Sequence, residues 1–274
     1  MILSNIVDSH VHSNFSVDSS IQAEDACIKA IDLGLAGLAF TDHIDLDLQH
    51  PQYVFNFDCV ARSTYIDTLK QNFGNKLHIL KGIEIGIQPH IIQESEKIIT
   101  NFDFDFVICS IHALNKIDLG NQKFYDNKTK QHAYQIYLEA IYDSVCNFKT
   151  FDVVGHIGYI CRYSPYKNRL LMYHEHQDII DEILKRVIRD GRGIEINTAG
   201  YFYKLGTPHP DIAILKRYKE LGGEVITIGS DAHTVQRIGA DFDTTCELLQ
   251  IAGFTHITYF KDRKPVFVSL TNHQ

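Results

Sequence analysis

Several residue types are scarce in this 274-residue sequence, which has no tryptophan, two methionines and six cysteines that form no C-x-x-C pair. Widely separated cysteines do not supply the thiolate pairs of a structural zinc site, and a chain of this size does not need a disulfide framework. We therefore expect buried thiols in a reducing compartment, the cytoplasm. No apolar run approaches the roughly 18 residues of a membrane span. Asp8 and His10 come too early for the apolar region of a secretory signal, so we expect no association with a membrane.

Basic residues are also few. The chain has 26 Lys and Arg against 34 Asp and Glu, which gives a formal net charge of −8, and no block of basic residues occurs. A surface that binds nucleic acid normally requires such a block, so we expect no nucleic-acid partner. The sequence contains no G-x-G-x-x-G, P-loop or G-x-S-x-G motif, and it therefore gives no support to a nucleotide-binding fold or a serine hydrolase.

One structural unit recurs along the chain: an amphipathic helix, a glycine, a short apolar strand and then polar residues. The four clearest copies have their glycine at Gly34, Gly191, Gly222 and Gly253. A glycine after the last helical residue adopts a positive φ without a Cβ clash, so we expect these four to end helices. Prolines favour the first helical position, and we expect Pro208 to begin a helix that Thr207 caps.

The pattern predicts strands that alternate with helices. Strands are expected near residues 4–9, 36–41, 78–84, 104–111, 151–156, 192–197, 224–230 and, more weakly, 256–260. Helices are expected near residues 22–33, 58–72, 90–99, 129–147, 176–190, 208–221 and 240–252. Strands joined by helices pair in parallel. Seven or eight such units favour an α/β barrel, with an open doubly wound sheet as the alternative, and one domain over residues 1–274.

Histidine is abundant, with 15 residues. Every predicted barrel strand ends in His, Asp or Glu. These strand-end residues are Asp8, His10, His12, Asp42, His43, Glu84, His112, His156, Glu195, Asp231 and His233. The carboxyl ends of the strands of an α/β barrel converge on the active site. The sequence therefore predicts a single cavity surrounded by imidazoles and carboxylates.

The spacing of these residues indicates a metal centre. His10 and His12 alternate along a strand, so their imidazoles point to the same side, and Asp231 and His233 repeat this spacing. Imidazole and carboxylate ligands suit Zn²⁺, Fe²⁺ or Mn²⁺. Because thiolate pairs are absent, a catalytic site with open coordination positions is favoured over a closed structural zinc site.

These motifs resemble the PHP (polymerase and histidinol phosphatase) superfamily. The resemblance rests on DSHVH, TDH, the single histidines of SIH and GH, and SDAH, which span nearly the whole chain. The segments GHIGYICRY and EINTAGYFYKLGTPHPDIAILKRYKELGGEVITIGSDAH are similar to the histidinol-phosphate phosphatase branch. The resemblance implies a distorted (β/α)7 TIM-like barrel with three divalent metal ions.

The resemblance also implies a ligand set for each ion. The first ion would be held by His10, His12, Glu84 and Asp231. The second would share Glu84 and add His112 and His156. The third would be held by Asp18, His43 and His233, with Asp18 at a position where many family members carry histidine. Asp8 and Asp42 would orient neighbouring histidines.

The reaction implied is hydrolysis of a phosphate monoester, L-histidinol phosphate in histidine biosynthesis, by a metal-bound hydroxide. We assign catalytic roles to Glu84, Asp231 and His233. Three divalent ions against three ligand carboxylates leave a charge of about +3, which suits a phosphate dianion, whereas two ions with a bound hydroxide leave about zero. Arg162 is expected to bind the phosphate, with Asn197 also in substrate binding, while Arg192 and Arg237 are weaker candidates.

Aromatic residues in the loops after the second, fourth, fifth and sixth strands are expected to select the substrate. These residues are Tyr53, Phe55, Phe124, Tyr125, Tyr159, Tyr163, Tyr201, Phe202 and Tyr203. Their rings could stack on an imidazole, and a carboxylate among them could hold an amino group. Two alternatives stay open: another PHP phosphoesterase, either a general phosphatase or a nuclease, and a metal-binding module without turnover. The sequence does not indicate an oligomeric state.

Overall fold

A computed structural model describes residues 3–270, in which strands and helices alternate along the chain. The strands are Val7–Val11 (β1), Gly37–Phe40 (β2), His43–Asp45 (β3), His78–Gly86 (β4), Phe106–Ser110 (β5), Ala113–Leu114 (β6), Ile117–Asp118 (β7), Val153–Val154 (β8), Gly193–Asn197 (β9), Ile226–Gly229 (β10), His256–Lys261 (β11) and Lys264–Ser269 (β12). The α-helices are Ala23–Leu33 (α1), Cys59–Phe73 (α2), Ile92–Asn101 (α3), Lys130–Asn147 (α4), Gln177–Arg189 (α5), Ala199–Phe202 (α6), Ile212–Glu220 (α7) and Phe242–Ile251 (α8). None of these helices is long and apolar enough to span a membrane.

Seven parallel strands form a nearly closed barrel in the order β1, β2, β4, β5, β8, β9, β10. The short strand β3 follows β2 after a two-residue break and pairs with the second half of β4, where His43 lies opposite Glu84. The two ends of the sheet approach each other, because the backbone N–H of His12 donates to the carbonyl of Ala232 at 3.0 Å. The predicted α/β barrel is confirmed, and the open doubly wound sheet is excluded.

The weak strand expected at 256–260 exists but belongs to a separate hairpin. β11 pairs antiparallel with β12, and this two-stranded sheet does not join the barrel in the described part of the chain. Asp262 and Arg263 connect the two strands, both with positive φ, which is the geometry of a type I′ turn. Phe260 stacks on Phe106 of β5, with ring centroids 5.2 Å apart, so the hairpin packs against the barrel.

The helix ends agree with the sequence in one respect and differ in another. All four predicted glycines have positive φ, namely Gly34, Gly191, Gly222 and Gly253. The expected start at Pro208 with Thr207 as cap is wrong, because α7 begins at Ile212 and the side chain of Asp211 accepts from the N–H groups of residues 213 and 214. Residues 207–210 do not join the helix, since His209 exchanges two backbone hydrogen bonds with Asn197 at the end of β9.

Candidate active site

The first donor group joins β1 to the end of β10. Nε2 of His10 and Nε2 of His12 lie 3.0 Å apart on the same side of β1. Oδ1 of Asp231 lies 3.2 Å from Nε2 of His12 and 3.6 Å from Nε2 of His10. Both histidines are fully buried. Period-two alternation of the strand therefore directs both imidazoles at one carboxylate, as the H-x-H spacing predicts.

Glu84 connects this group to a second one. Its Oε2 lies 3.2 Å from Nε2 of His10, and its Oε1 lies 2.8 Å from Nε2 of His156 and 3.1 Å from Nε2 of His112. These residues come from β1, β4 and the segments that follow β5 and β8. The two carboxylate oxygens thus face two separate sets of imidazoles, which is the geometry a bridging ligand needs.

The third group lies nearer the cavity mouth. Oδ1 of Asp18 lies 3.0 Å from Nε2 of His43, and Oδ2 of Asp18 lies 3.5 Å from Nε2 of His233. The ring of His233 stacks on that of His12 with centroids 4.1 Å apart, so this group adjoins the first. The Asp18 side chain is one-third exposed, in contrast to the buried carboxylates of Glu84 and Asp231. All nine residues expected as ligands are therefore brought together.

Buried carboxylates hold the outer nitrogen of three of these imidazoles. Oε1 of Glu195 lies 2.6 Å from Nδ1 of His10. Asp45 uses one oxygen for Nδ1 of His43 and the other for Nδ1 of His112, each at 2.8 Å. A carboxylate at Nδ1 fixes the proton there and leaves the Nε2 lone pair directed at the cavity.

The expected orienting role of Asp8 is not seen, whereas Asp42 acts on His12 through Ser16. Oγ of Ser16 donates to Oδ1 of Asp42 at 3.1 Å and lies 3.0 Å from Nδ1 of His12. Asp8 accepts the backbone N–H groups of Ser230 and Gly239 and so ties β1 to the end of β10. Asp42 accepts from the side chain of buried Arg62 at 2.6 Å and from Ser13. Both carboxylates also accept backbone N–H groups and so support the backbone beside the donor groups.

Burial and charge divide the site histidines into two classes. Burial and the positive charges of neighbouring histidines together lower the pKa of His12 to about 4. Burial also acts on His112, but the charges of Asp45 and Glu84 outweigh it and raise that pKa to about 10. His10 behaves in the same way, with burial outweighed by carboxylates and its pKa raised well above the usual value. The carboxylates thus favour protonated imidazoles at His10 and His112, and cations that bind to these imidazoles would replace the protons.

The donor set fits divalent cations. Its ligand atoms are imidazole nitrogens and carboxylate oxygens, which suit Zn²⁺, Fe²⁺ or Mn²⁺. They approach within 4.8 Å of one another in overlapping triads, which include His10, His12 and Asp231, and Glu84, His112 and His156. Nε2 of His10 and Nε2 of His12 face each other at 3.0 Å between carboxylates. A cation bound by both nitrogens stabilises this arrangement better than a contact between the two nitrogens.

The two residues expected to bind substrate occupy different layers. Arg162 lines the cavity, is 7% exposed, and donates from Nη2 to Oδ2 of Asp231 at 2.6 Å. Its guanidinium lies over the rings of Tyr159 and Tyr203, with centroid distances of 4.8 and 5.0 Å. Asn197 is fully buried behind the wall, where it contacts Arg162 and Asp231 and does not line the cavity.

The cavity above the donor groups has a volume of about 610 Å³. Six of the nine aromatic residues expected there line it, namely Tyr53, Phe55, Tyr159, Tyr163, Phe202 and Tyr203. The other three, Phe124, Tyr125 and Tyr201, do not, and the first two are core residues.

Among the weaker arginine candidates, Arg237 lines the cavity. Arg192 does not, because it lies over the ring of Phe151 and donates to backbone carbonyls. Sequence reasoning also missed Asp118, a cavity carboxylate on β7 that no donor group uses.

Comparisons with known proteins agree with this geometry. The family model of the PHP domain matches residues 8–199. A histidinol-phosphatase of Lactococcus lactis is 32% identical over 259 residues, covering 94% of this chain and 95% of the relative. A probable histidinol-phosphatase of Clostridium acetobutylicum is 33% identical over 257 residues, with coverage of 93% and 97%.

A solved structure is similar over the same range. The crystal structure of histidinol phosphate phosphatase from Lactococcus lactis, complexed with Zn, L-histidinol and phosphate, matches with a TM-score of 0.89 at 31% identity. The match covers 96% of this chain and 99% of that structure, so it includes β10, the barrel strand that lies beyond residue 199. From the family match and these relatives, the chain belongs to the PHP domain family.

Proposed function

We propose that this chain is a metal-dependent phosphatase that hydrolyses L-histidinol phosphate in histidine biosynthesis. The observation that carries the proposal is the convergence of nine imidazole and carboxylate side chains, seven of which line one cavity while His10 and His12 are buried in contact with them. The likeness to a histidinol phosphate phosphatase solved with Zn, L-histidinol and phosphate supports the choice of substrate.

We infer that three divalent ions are held by the three donor groups described above, with Glu84 shared between the first two. When bound, such ions supply Lewis acidity toward phosphate oxygens and a water of lowered pKa. The chain itself orients the imidazoles through Glu195 and Asp45. The buried floor keeps bulk water from the donor atoms, which strengthens their electrostatic interactions.

Arg162 is placed to hold the phosphate against this floor. Its Nη2 contacts Asp231 and Asn197, and its Nε is buried without a hydrogen-bond partner among the described residues. The rings of Tyr159 and Tyr203 flank the guanidinium and restrict its movement. A guanidinium fixed in this way can donate to phosphate oxygens as negative charge develops on them during hydrolysis. Asn197 acts here as a positioning residue for Arg162.

The organic part of the substrate would occupy the aromatic upper cavity. Histidinol carries an imidazole, which can stack on tyrosine or phenylalanine, and an ammonium group, which needs an anion. Asp118 meets the second need, because it lines the cavity and its Oδ1 is held by the N–H of Gly120 at 2.5 Å. No Lys, Arg or His within residues 3–270 forms an ion pair with Asp118, so its other oxygen can accept the ammonium.

The test is a comparison of phosphate release from L-histidinol phosphate, a nucleoside monophosphate and a short DNA under the same metal loading. The proposal predicts the highest kcat/KM for L-histidinol phosphate. Preferred hydrolysis of the nucleotide or of DNA would identify a general phosphatase or a nuclease instead. Absence of turnover with zinc, iron and manganese would favour a metal-binding module.

We also place the enzyme in the cytoplasm. The six cysteines are unpaired, and four of them, Cys27, Cys109, Cys161 and Cys246, are buried. Burial raises the pKa of these four thiols to about 12, which keeps them protonated and unreactive.

A further inference from the structure

Asp45 contacts two proposed metal ligands from different donor groups. It ends β3 and is 7% exposed. The imidazole of His43 that meets Oδ2 directs its Nε2 at Asp18, 3.0 Å away. The imidazole of His112 that meets Oδ1 directs its Nε2 at Glu84, 3.1 Å away. One carboxylate therefore orients a histidine in the second group and a histidine in the third.

The neighbouring strand leaves a space for this carboxylate. In the β3–β4 register, Asp45 lies opposite Gly86. A Cβ built on Gly86 would lie only 1.7 Å from Oδ1 of Asp45, so any other residue at position 86 would displace the carboxylate. Glu84 lies two residues earlier on the same strand and faces the same side. Strand β4 thus supplies both a ligand and the space for its orienting partner.

Glu195 provides the contrast within the same site. Its Oε1 contacts Nδ1 of His10, and a Cβ on Gly229 would come within 2.4 Å of that oxygen. The second oxygen accepts the backbone N–H of His156 and the side-chain amide of Asn197. Glu195 therefore orients one imidazole, in the first group, whereas Asp45 orients two.

We propose that Asp45 is a positioning residue shared by the second and third metal ions, so that the affinities of both ions depend on its carboxylate. An imidazole that donates its Nδ1 proton to a carboxylate keeps the lone pair on Nε2, the atom directed at the cation. Loss of such a partner typically weakens metal binding by about 10- to 100-fold. Because Asp45 serves His43 and His112 together, its loss should weaken two ions at once. The assignment of these ligands rests on the proposed function.

The experiment measures Zn²⁺ binding to metal-stripped protein by titration against a chromophoric chelator, with elemental analysis after dialysis. The variants are Asp45→Ala, Gly86→Ala and, as the matched control, Glu195→Ala. Asp45→Ala should weaken two of three ions by at least about tenfold and leave one tight. Gly86→Ala keeps the carboxylate but displaces it, so it should weaken the same two. Glu195→Ala should weaken one ion.

Three results would overturn the proposal. One is wild-type affinity for all three ions in both Asp45→Ala and Gly86→Ala. Another is the weakening of only one ion in either variant. The last is a fourth ion in the wild type that Asp45→Ala alone removes, since His43, Asp45 and His112 could together hold a cation of their own. Zn²⁺ binding is measured independently of turnover. A chain that binds three ions but does not hydrolyse L-histidinol phosphate would therefore refute the proposed function without affecting this inference.

Discussion

Replacing Arg162 by glutamine tests how the cavity binds phosphate. The guanidinium is buried between two tyrosine rings, and its Nη2 contacts Asp231 at 2.6 Å. A hydrogen bond to a charged group contributes about 1.5–3 kcal/mol. At about 1.4 kcal/mol per tenfold change, the KM for L-histidinol phosphate and the inhibition constant of inorganic phosphate should each rise about 10- to 150-fold.

The assay is steady-state phosphate release, with zinc content measured on the same sample. Zinc content should stay at the wild-type level, because the other oxygen of Asp231 still faces His12. Arg192→Gln is the control, since Arg192 also lies over an aromatic ring but outside the cavity, and both constants should be unchanged. If Arg162→Gln leaves KM and the inhibition constant unchanged, the phosphate-binding role is refuted.

Three further predictions concern specificity, metal retention and pH. Asp118→Asn should raise the KM for L-histidinol phosphate about tenfold or more and leave the KM for p-nitrophenyl phosphate unchanged. Asp126→Asn is the control, because Asp126 is exposed. Equal changes in KM for both esters would exclude the contact between Asp118 and the ammonium group. Glu84→Gln should lower both zinc content and kcat, and full activity would contradict its bridging role. Zinc binding at pH 7.5 should release a proton from His112, whose pKa is about 10, but not from His12, whose pKa is about 4. The zinc affinity should therefore rise with pH. Calorimetry in buffers of different ionisation enthalpy measures the proton release, and a binding enthalpy that does not depend on the buffer would refute the prediction.

The strand-end donors could be predicted because the fold repeats one simple rule. Parallel strands deliver their last residues to the same end of a barrel, and alternation places His10 and His12 on one side. A run of apolar residues followed by His, Asp or Glu was therefore sufficient to place donors from β1 to β10 in one cavity. The repeated helix–glycine–strand unit gave the element order for the same reason.

The orienting carboxylates could not be identified in this way. Asp45 follows a break in the second barrel strand, and only pairing with β4 brings it beside Gly86 and His112. Asp118 lies on a two-residue strand whose neighbour is Ala113, too short for any periodic signal. These positions depend on contacts between distant segments, as does the non-helical segment before α7, where the pairing of His209 with Asn197 overrides the tendency of Pro208 to begin a helix.

The most direct test of the account is to titrate zinc into metal-stripped protein while following phosphate release from L-histidinol phosphate. With two ions and a bound hydroxide the ligand set has about zero net charge, and the third ion makes it attractive to a phosphate dianion. Activity should therefore appear as the third equivalent binds. Full hydrolysis by protein that holds no metal would contradict the central claim.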